Sequence, residues 1–452
     1  MGRAEEIIRA PDSIAAAYAA TLLADLGCEV VARAAAEHPA LAWARSGLMA
    51  LTGLADGEPL MCAAPLAACA EGALAALAAL APKGAFDGLS AAQLLGERAA
   101  VAGLKRQGRV APGGGCHLLR AADGEFALQL SRPDDWALLP AWLEQPVAAN
   151  WSALERVVRG CEVDTLLARG REMGLAIAPC APVEGEATHW LRSSQPCGAT
   201  RMSAKPEPLV IDLSSLWAGP LCTHLLQRCG ARVIKVESAK RVDGARRYRA
   251  DFFDLLHAGK ESLALDLTRP EDAANLCRLI ERADLVIEAS RPRALRQLGV
   301  DADDLLRRNP ALSWIRLSGY GDGEPQEHWI AYGDDAGVAA GLSGLMGESA
   351  GVPVFCGDAI ADPLTGLHAA LAAWASWRSG GGRRLSLALR DVARHAMRFD
   401  LPDSAVARSQ RQRAWAAVAP RAAAPQARKS VGRAPALGEH SAALRQEFGL
   451  RA

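Results

Sequence analysis

The chain has 452 residues, 50% of them hydrophobic, which is enough to bury a full core and divide into two or three domains, and excludes a single small domain. Lys plus Arg equals Asp plus Glu at 51 each, so no global field recruits nucleic acid or an anionic membrane, and any anion must be met by a local site. The eleven Cys are scattered, with no CxxC pair and no Cys/His cluster at metal-ligand spacing, which predicts a reducing cytoplasmic location, no disulfide framework and no metal.

The first residues, MGRAEEIIRAPDS, are charged and hold no apolar signal core, and the Ala-rich run from Pro65 to Pro82 is short and carries Glu71; neither export nor a membrane span is expected. From Val110, VAPGGGCHLLRAADGEFALQLS reads as a glycine-rich loop feeding a β-hairpin that turns at Asp123-Gly124. Residues 86–205 are therefore expected to form a small α+β domain. From Pro208 to Asp400, PLVIDLS, ARVIKVE, SLALDL, ADLVIEA, LSWIRLSG and LSLAL read as strands. Helical spacing lies between them, in AGPLCTHLLQRCG, Pro270 to Arg282, Asp301 to Arg308 and ADPLTGLHAALAAWASW. That alternation predicts an α/β fold, a doubly wound, Rossmann-like parallel sheet over residues 206–400 with ligands near the carboxyl ends of its strands. After Leu401 the composition turns to Ala, Arg, Gln and Pro, and residues 401–452 are expected to be a loosely packed or disordered tail.

The N-terminal 85 residues read as a shortened, degenerate copy of the large domain. LLADLGCEVV (Leu22 to Val31) recurs 203 residues later as LLQRCGARVI (Leu225 to Ile234); SGLM at Ser46 recurs 297 residues later at Ser343, and EGALAALAAL at Glu71 294 residues later as TGLHAALAAW at Thr365. Three matches in the same order point to a repeat whose first copy lacks some ninety residues of its middle. Such a copy cannot build the whole sheet. Ala68 stands opposite Asp362 at the third offset, so the first copy carries no carboxylate there.

IDLSSLWAGPLCTHLLQRCGARVIKVE, HAGKESLALDL, ADLVIEASRP, NPALSWIRLSGYGDGEP and the ADPLTG helix, taken together over about 190 residues, resemble the class III CoA-transferases, a family that includes formyl-CoA transferase, carnitine CoA-transferases and α-methylacyl-CoA racemase. GGGCHLLRAADGEFALQL and GLAIAPCAPV resemble that family's small domain, here placed before the large one as in a permuted fusion. The resemblance implies an enzyme that moves CoA between an acyl-CoA thioester and a carboxylic acid acceptor through an acyl-aspartyl anhydride. CoA is then a substrate, no prosthetic group is implied, and family members are homodimers.

On this resemblance the nucleophile is Asp362. An Asp-Pro followed by strong helix formers independently predicts Asp362 at the N-cap and Pro363 at the first helical position, where the helix dipole favours an ionised carboxylate. The resemblance makes Gly113, Gly114 and Gly115 the loop closing over the intermediate, where backbone N–H groups approach an oxyanion without a side chain intervening. It places the CoA cradle at Ser215, Leu216, Trp217 and Ala218, with Gly219 and Pro220 letting the cofactor approach the backbone. It also implicates Ala289 and Ser290, and Lys260 as a point charge for a CoA phosphate, with Arg291 and Arg293 as further basic candidates. Ser215, Trp217, Ser238 and Ala289-Ser290 depart from the residues usual in formyl-CoA transferase. Those departures motivate a second reading, a CoA-binding or partner-stabilising pseudoenzyme. A racemase is disfavoured because Tyr332-Gly333-Asp334-Asp335 lacks the His of the racemase segment. His368 is expected to be a packed or solvated helical residue, and Asp334 and Asp335 either ligands for a polar acyl group or a solvated turn.

Overall fold

The computed structural model describes residues 13–185, 188–194, 207–290, 292–419 and 421–451. A three-stranded antiparallel sheet is formed by β1 (Cys116–Arg120), β2 (Glu125–Gln129) and β3 (Ala176–Pro179). The remaining strands are β4 (Arg192–Ser194), β5 (Leu209–Leu213), β6 (Arg232–Ser238), β7 (Glu261–Leu265), β8 (Leu285–Glu288), β9 (Ser313–Ser318) and β10 (Arg384–Ala388). They form one sheet in the order β4-β10-β9-β8-β5-β6-β7, parallel throughout except at the edge pair β10–β4. The central strands are near-continuous apolar runs because helices cover both their faces: Val210, Ile211, Val286, Ile287 and Ile315 are all buried. The chain leaves β5 towards β6 and β7, then returns to the other side of β5 to lay down β8 and β9. The topological switch point therefore lies between the carboxyl ends of β5 and β8, where a doubly wound sheet opens a crevice.

The small unit has its own core, in which Leu119, Phe126, Leu139, Trp142 and Ile177 bury together. Its hairpin turns over Ala122 and Asp123, closed by the Ala121 N–H to Gly124 O hydrogen bond of 2.9 Å, one residue earlier than expected. Among the described residues, 13–105 hold helices and no strand, and they share a single apolar core with the large sheet. Tyr18, Trp43 and Leu77 pack in the same cluster as Leu225, Leu367 and Leu371. Ala91, Ala92, Leu95 and Ala99 belong to that cluster too, so residues 91–99 pack with the N-terminal helices and not with the small domain to which residues 86–205 were assigned.

Two helix pairs repeat one contact. A side chain on Gly366, in the helix Ala361–Arg378, would meet Ala218 O at 2.7 Å and Leu221 Cβ at 3.1 Å; one on Gly72, in the helix Leu66–Leu80, would meet Ala15 O at 2.6 Å and Tyr18 Cβ at 3.1 Å. Gly72 and Gly366 are separated by the offset of the third sequence match, and Ala15 and Ala218 by that of the first. In each pair the glycine admits the partner helix's backbone.

The C-terminal segment is packed, contrary to the loose tail expected for residues 401–452. It forms the helices Ala405–Val418 and Ser441–Phe448. Leu444, Phe448 and Leu450 bury against Ile234 and Leu263. The physical reason is edge protection: β7 is the last strand, and its unpaired backbone is met by His440 and Ser441, through Ser262 N–H to His440 Nδ1 (3.1 Å), His440 N–H to Ser262 O (3.1 Å) and Ala264 N–H to Ser441 Oγ (3.1 Å). No helix among the described residues is long and apolar enough to cross a membrane.

If the glycine contact holds the N-terminal pair closed, Gly72→Ala should lower the unfolding free energy by about 1–3 kcal/mol. Urea denaturation measures this, and an unchanged midpoint would show that the pair is not packed at Gly72.

Candidate functional site

Asp362 lies in the first turn of the helix Ala361–Arg378 and is the one residue of positions 361–376 that is not buried. It does not cap this helix as expected. The turn through Ala359, at a left-handed φ of 44°, starts the helix earlier, so Ile360 is the N-cap and Asp362 the second helical residue. The dipole argument also loses to burial. The surrounding protein pushes the Asp362 carboxyl up to about 7, helped by the charges of Asp334 and Asp358, while Arg98 and the Gly333 N–H, which donates to the carboxylate, act in the opposite direction. Gly333 is required there, since a side chain on it would stand 2.5 Å from Asp362 Oδ2.

Around Asp362 the fold gathers residues that are remote in sequence. Asp358 is fully buried and takes a bidentate pair from Arg98, Nε to Oδ2 at 2.8 Å and Nη2 to Oδ1 at 2.5 Å. Arg98 comes from the short helix Glu97–Ala102 of the N-terminal segment. Asp334, buried in the helix Gly333–Ala339, accepts the Ala359 N–H at 2.8 Å, which fastens the left-handed turn ahead of Asp362. Burial, with the nearby charge of Asp358, raises the Asp334 carboxyl to about 6. Asp335 is buried as well, accepts the Tyr332 N–H at 2.7 Å and is likewise raised by burial. Neither Asp is the solvated turn that was weighed for this pair.

The glycine loop reaches the same place. A side chain on Gly113 would lie 3.4 Å from Arg98 Nη2 and 3.9 Å from Asp358 Oδ1. Gly114 takes a left-handed φ of 77°, and Gly115 sits against Gln129 and Ser131. A cavity of about 10 Å³ lies beside Gly333, Asp334 and Phe355, room for one water. An acyl group must therefore approach Asp362 from its exposed side.

The residues proposed for CoA divide. Ser215, Leu216, Ala289 and Ser290 stand at the carboxyl ends of β5 and β8, at the switch point; Ser215, Leu216 and Ala289 are exposed. Leu216 adopts a left-handed φ of 69°, and its N–H is held by Asp243 at 3.1 Å. Ser290 Oγ donates to Glu288 at 2.8 Å. Trp217 and Ala218 are buried, and the Trp217 ring lies 5.5 Å from the Arg98 guanidinium. Two expectations fail. A side chain on Gly219 would fall 2.2 Å from the Ser214 side chain, so this glycine serves internal packing and offers no opening to a cofactor. Lys260 is fully buried and spends its ammonium on Thr223 Oγ1 (2.7 Å), Asp212 Oδ2 (3.2 Å) and Pro220 O (3.2 Å). It cannot serve as a surface point charge. Burial lowers it to about 8, while Lys260 and Lys235 hold Asp212 down at about 2 against the opposing effect of burial. Arg291 lies outside the described residues, and Arg293 is in the helix Pro292–Gln297. His368 is a core residue, bonded through Nε2 to Tyr18 Oη at 2.8 Å and through Nδ1 to Leu364 O.

Arg98, Asp358 and Gly333 were not singled out from sequence. Asp358 and Asp362 in GDAIAD are four residues apart, a spacing that could have paired them. Arg98 in LLGERAAVAG carries no local signal.

The parallel sheet and its switch point define a doubly wound α/β protein, and the carboxylates gathered at Asp362 are its candidate for nucleophilic or acid–base chemistry. Residues 208–428 match the family model of CoA-transferase family III. The match runs beyond Asp400, into the segment that composition had set apart. A succinate–glutarate CoA-transferase of Agrobacterium fabrum is 34% identical over 220 residues, 43% of this chain and 54% of that protein. A succinyl-CoA–D-citramalate CoA-transferase of Chloroflexus aurantiacus is 32% identical over 213 residues, 44% of this chain and 53% of that protein. A formyl-CoA:oxalate CoA-transferase of Afipia carboxidovorans is 31% identical over 205 residues, 43% of this chain and 48% of that protein. The crystal structure of Rv3272 from Mycobacterium tuberculosis shares 33% identity over 42% of this chain and 55% of that one, with a TM-score of 0.39. The chain spans about half the length of the curated relatives it matches.

Two measurements check the electrostatics. Losing Lys260 leaves Asp212 short of its partner in the interior, so Lys260→Met should cost about 3–5 kcal/mol in urea unfolding; a surface phosphate contact would leave stability within about 0.5 kcal/mol. For Asp362, the folded carboxyl at about 7 lies above the unfolded value of about 3.9. Between those values the folded chain holds the extra proton, so stability falls as pH rises through that window and stays low above it. Asp362→Asn, which mimics the neutral acid, should therefore raise Tm at pH 8 and change it little at pH 4.

Proposed function

We propose that the chain transfers CoA between an acyl-CoA thioester and a carboxylic acid, with Asp362 as the nucleophile. The observation that carries this reading is a single accessible carboxylate in a helix otherwise buried over positions 361–376, set against Gly333 and close to the Gly113 loop, within the segment matching CoA-transferase family III. An Asp362 oxygen attacks the thioester carbonyl, the C–S bond breaks, and CoA leaves as its thiolate, giving an acyl-aspartyl anhydride. The thiolate then attacks the Asp362 carbonyl, releasing the donor acid as a carboxylate and leaving an aspartyl-CoA thioester. The acceptor carboxylate runs the two steps in reverse, giving the new acyl-CoA and regenerating Asp362. Covalent relay divides one difficult exchange into easier ones.

The glycine loop supports water exclusion around the anhydride and N–H donation to its oxyanion. The exposed backbone at Ser215 and Leu216, with Ala289 and Ser290 across the crevice, supports a CoA cradle at the switch point. The acids named for the relatives, succinate, glutarate, D-citramalate and oxalate, are all dicarboxylates, and we take short dicarboxylates as the class to test first. The N-terminal helix pair is read as the reduced copy of the large domain, supported by the equivalent Gly72 and Gly366 contacts and by Ala68 standing opposite Asp362. A second reading, a CoA-binding subunit without turnover, is favoured by the burial of Lys260, which removes the expected phosphate contact.

Mass spectrometry after incubation with a panel of acyl-CoAs and trapping with hydroxylamine separates the two. A hydroxamate on the peptide containing Asp362, absent from Asp362→Ala and forming faster as pH rises through about 7, is the transferase result. CoA binding without any label on Asp362 across the panel transfers the argument to the non-catalytic subunit.

A further inference from the structure

The N-terminal segment is not only packing. Its short helix Glu97–Ala102 is fastened from two other parts of the chain. Glu97, itself buried, takes Arg428 Nε and Nη2 at 2.7 Å each, and Arg428 Nη1 donates to His224 Nε2 at 2.7 Å. This clamp ties the helix to the C-terminal segment and to the helix Ala218–Arg228, and it sets the direction of the next residue, Arg98. The Arg98 guanidinium reaches Asp358 with Nε and Nη2 only. Its Nη1 makes no hydrogen bond among the described residues, and the side chain is 27% exposed. The neighbouring Trp217 ring is 2% exposed, and its indole N–H also has no acceptor among the described residues. Two donors without acceptors among the described residues thus belong to one guanidinium–ring pair, with 5.5 Å between the guanidinium and the ring centre, and the charged one faces Asp358.

We propose that Arg98, with the Trp217 indole N–H beside it, is the receptor for the carboxylate of the acid substrate. The inference rests on the transferase reading above and gives it a substrate-binding residue. In that reaction a free carboxylate occupies the space next to Asp362 twice, as the acid that leaves and as the acid that enters. An anion entering between Asp334, Asp358 and Asp362 is repelled by all three unless a fixed cation faces it. Arg98 is the cation acting on all three, paired with Asp358 and drawn by the charges of Asp334 and Asp362. A planar guanidinium with two N–H groups still open suits a carboxylate oxygen better than an ammonium does, because its fork keeps the Asp358 pair while the remaining edge binds the ligand. The N-terminal packing then has a chemical consequence: a short helix that packs with the N-terminal helices supplies the cation that seats the substrate at Asp362.

Equilibrium titration with succinate, glutarate and oxalate tests this on the full chain. Arg98→Lys keeps a cation for Asp358 but loses the fork, and Arg98→Met combined with Asp358→Asn removes both partners of the buried pair, so that neither is left charged alone. At least one of the three acids should bind the wild type, at least tenfold more weakly to Arg98→Lys, and not measurably to the double variant. In turnover with an acyl-CoA that labels Asp362, Arg98→Lys should raise the KM for the acid at least tenfold and that for the acyl-CoA less than twofold, a split that a purely structural role would not produce. Equal affinity of wild type and variants, or no binding of any of the three acids by the wild type, overturns the proposal. Acid binding that depends on Arg98 in a chain whose Asp362 never takes a label would overturn the transferase reading and leave the acid site standing.

Discussion

The helix Ala361–Arg378 has no outer face. The sheet lies on one side, the helix Ala218–Arg228 on another, and the N-terminal helix Leu66–Leu80 covers what would otherwise face solvent. A helix enclosed this way must be apolar all round and small where neighbours cross it. That is the character of its Ala-rich sequence and of Gly366 in contact with the Ala218 backbone. Over positions 361–376 the lone exception, Asp362, is the position at which the enclosure opens.

That enclosure sets the electrostatics. Three carboxylates, Asp334, Asp358 and Asp362, are drawn into a region where charge is costly, and one guanidinium is present to balance them. The balance is incomplete, so Asp334 and Asp362 are held well above the ordinary carboxylate range. A carboxylate close to neutral pH in its ionisation loses stability to the fold and gains nucleophilicity near its working pH, the exchange expected at a reactive site. Two residues in left-handed backbone, Leu216 at the end of β5 and Ala359 ahead of Asp362, are each held next to a buried aspartate, Asp243 and Asp334. Strain of this kind persists only where the surroundings over-determine it.

A second buried ionic system lies beneath the crevice. Lys235 pairs with Asp243 at 3.0 Å and donates to Ser214 O at 2.9 Å, and Lys260 joins Asp212 to Thr223. Lys260 read from sequence as a point charge for a phosphate, and isolated Lys residues such as these two are rarely buried. Here they are satisfied internally, and their effect is to fix the loop from Ser214 to Trp217 on which the switch-point crevice depends. Any CoA phosphate must therefore find its cation elsewhere.

Much of this architecture was legible from residues alone. Six strands of the large sheet, their parallel order as a class and the hairpin before residue 130 follow from local periodicity, which does not need the third dimension. Asp362 could be named because a helix start and a family pattern coincide at ADPLTG. What only the tertiary structure decided are the facts set by long-range packing: that Asp362 is raised by burial and not lowered by a dipole, that Lys260 points inward, that the last fifty residues protect the edge of β7, and that Arg98 arrives at Asp358 from 260 positions away. The reason is physical. Periodicity reports which face of an element is apolar, whereas desolvation and charge pairing depend on which distant segments close over it, and no window of neighbouring residues contains them.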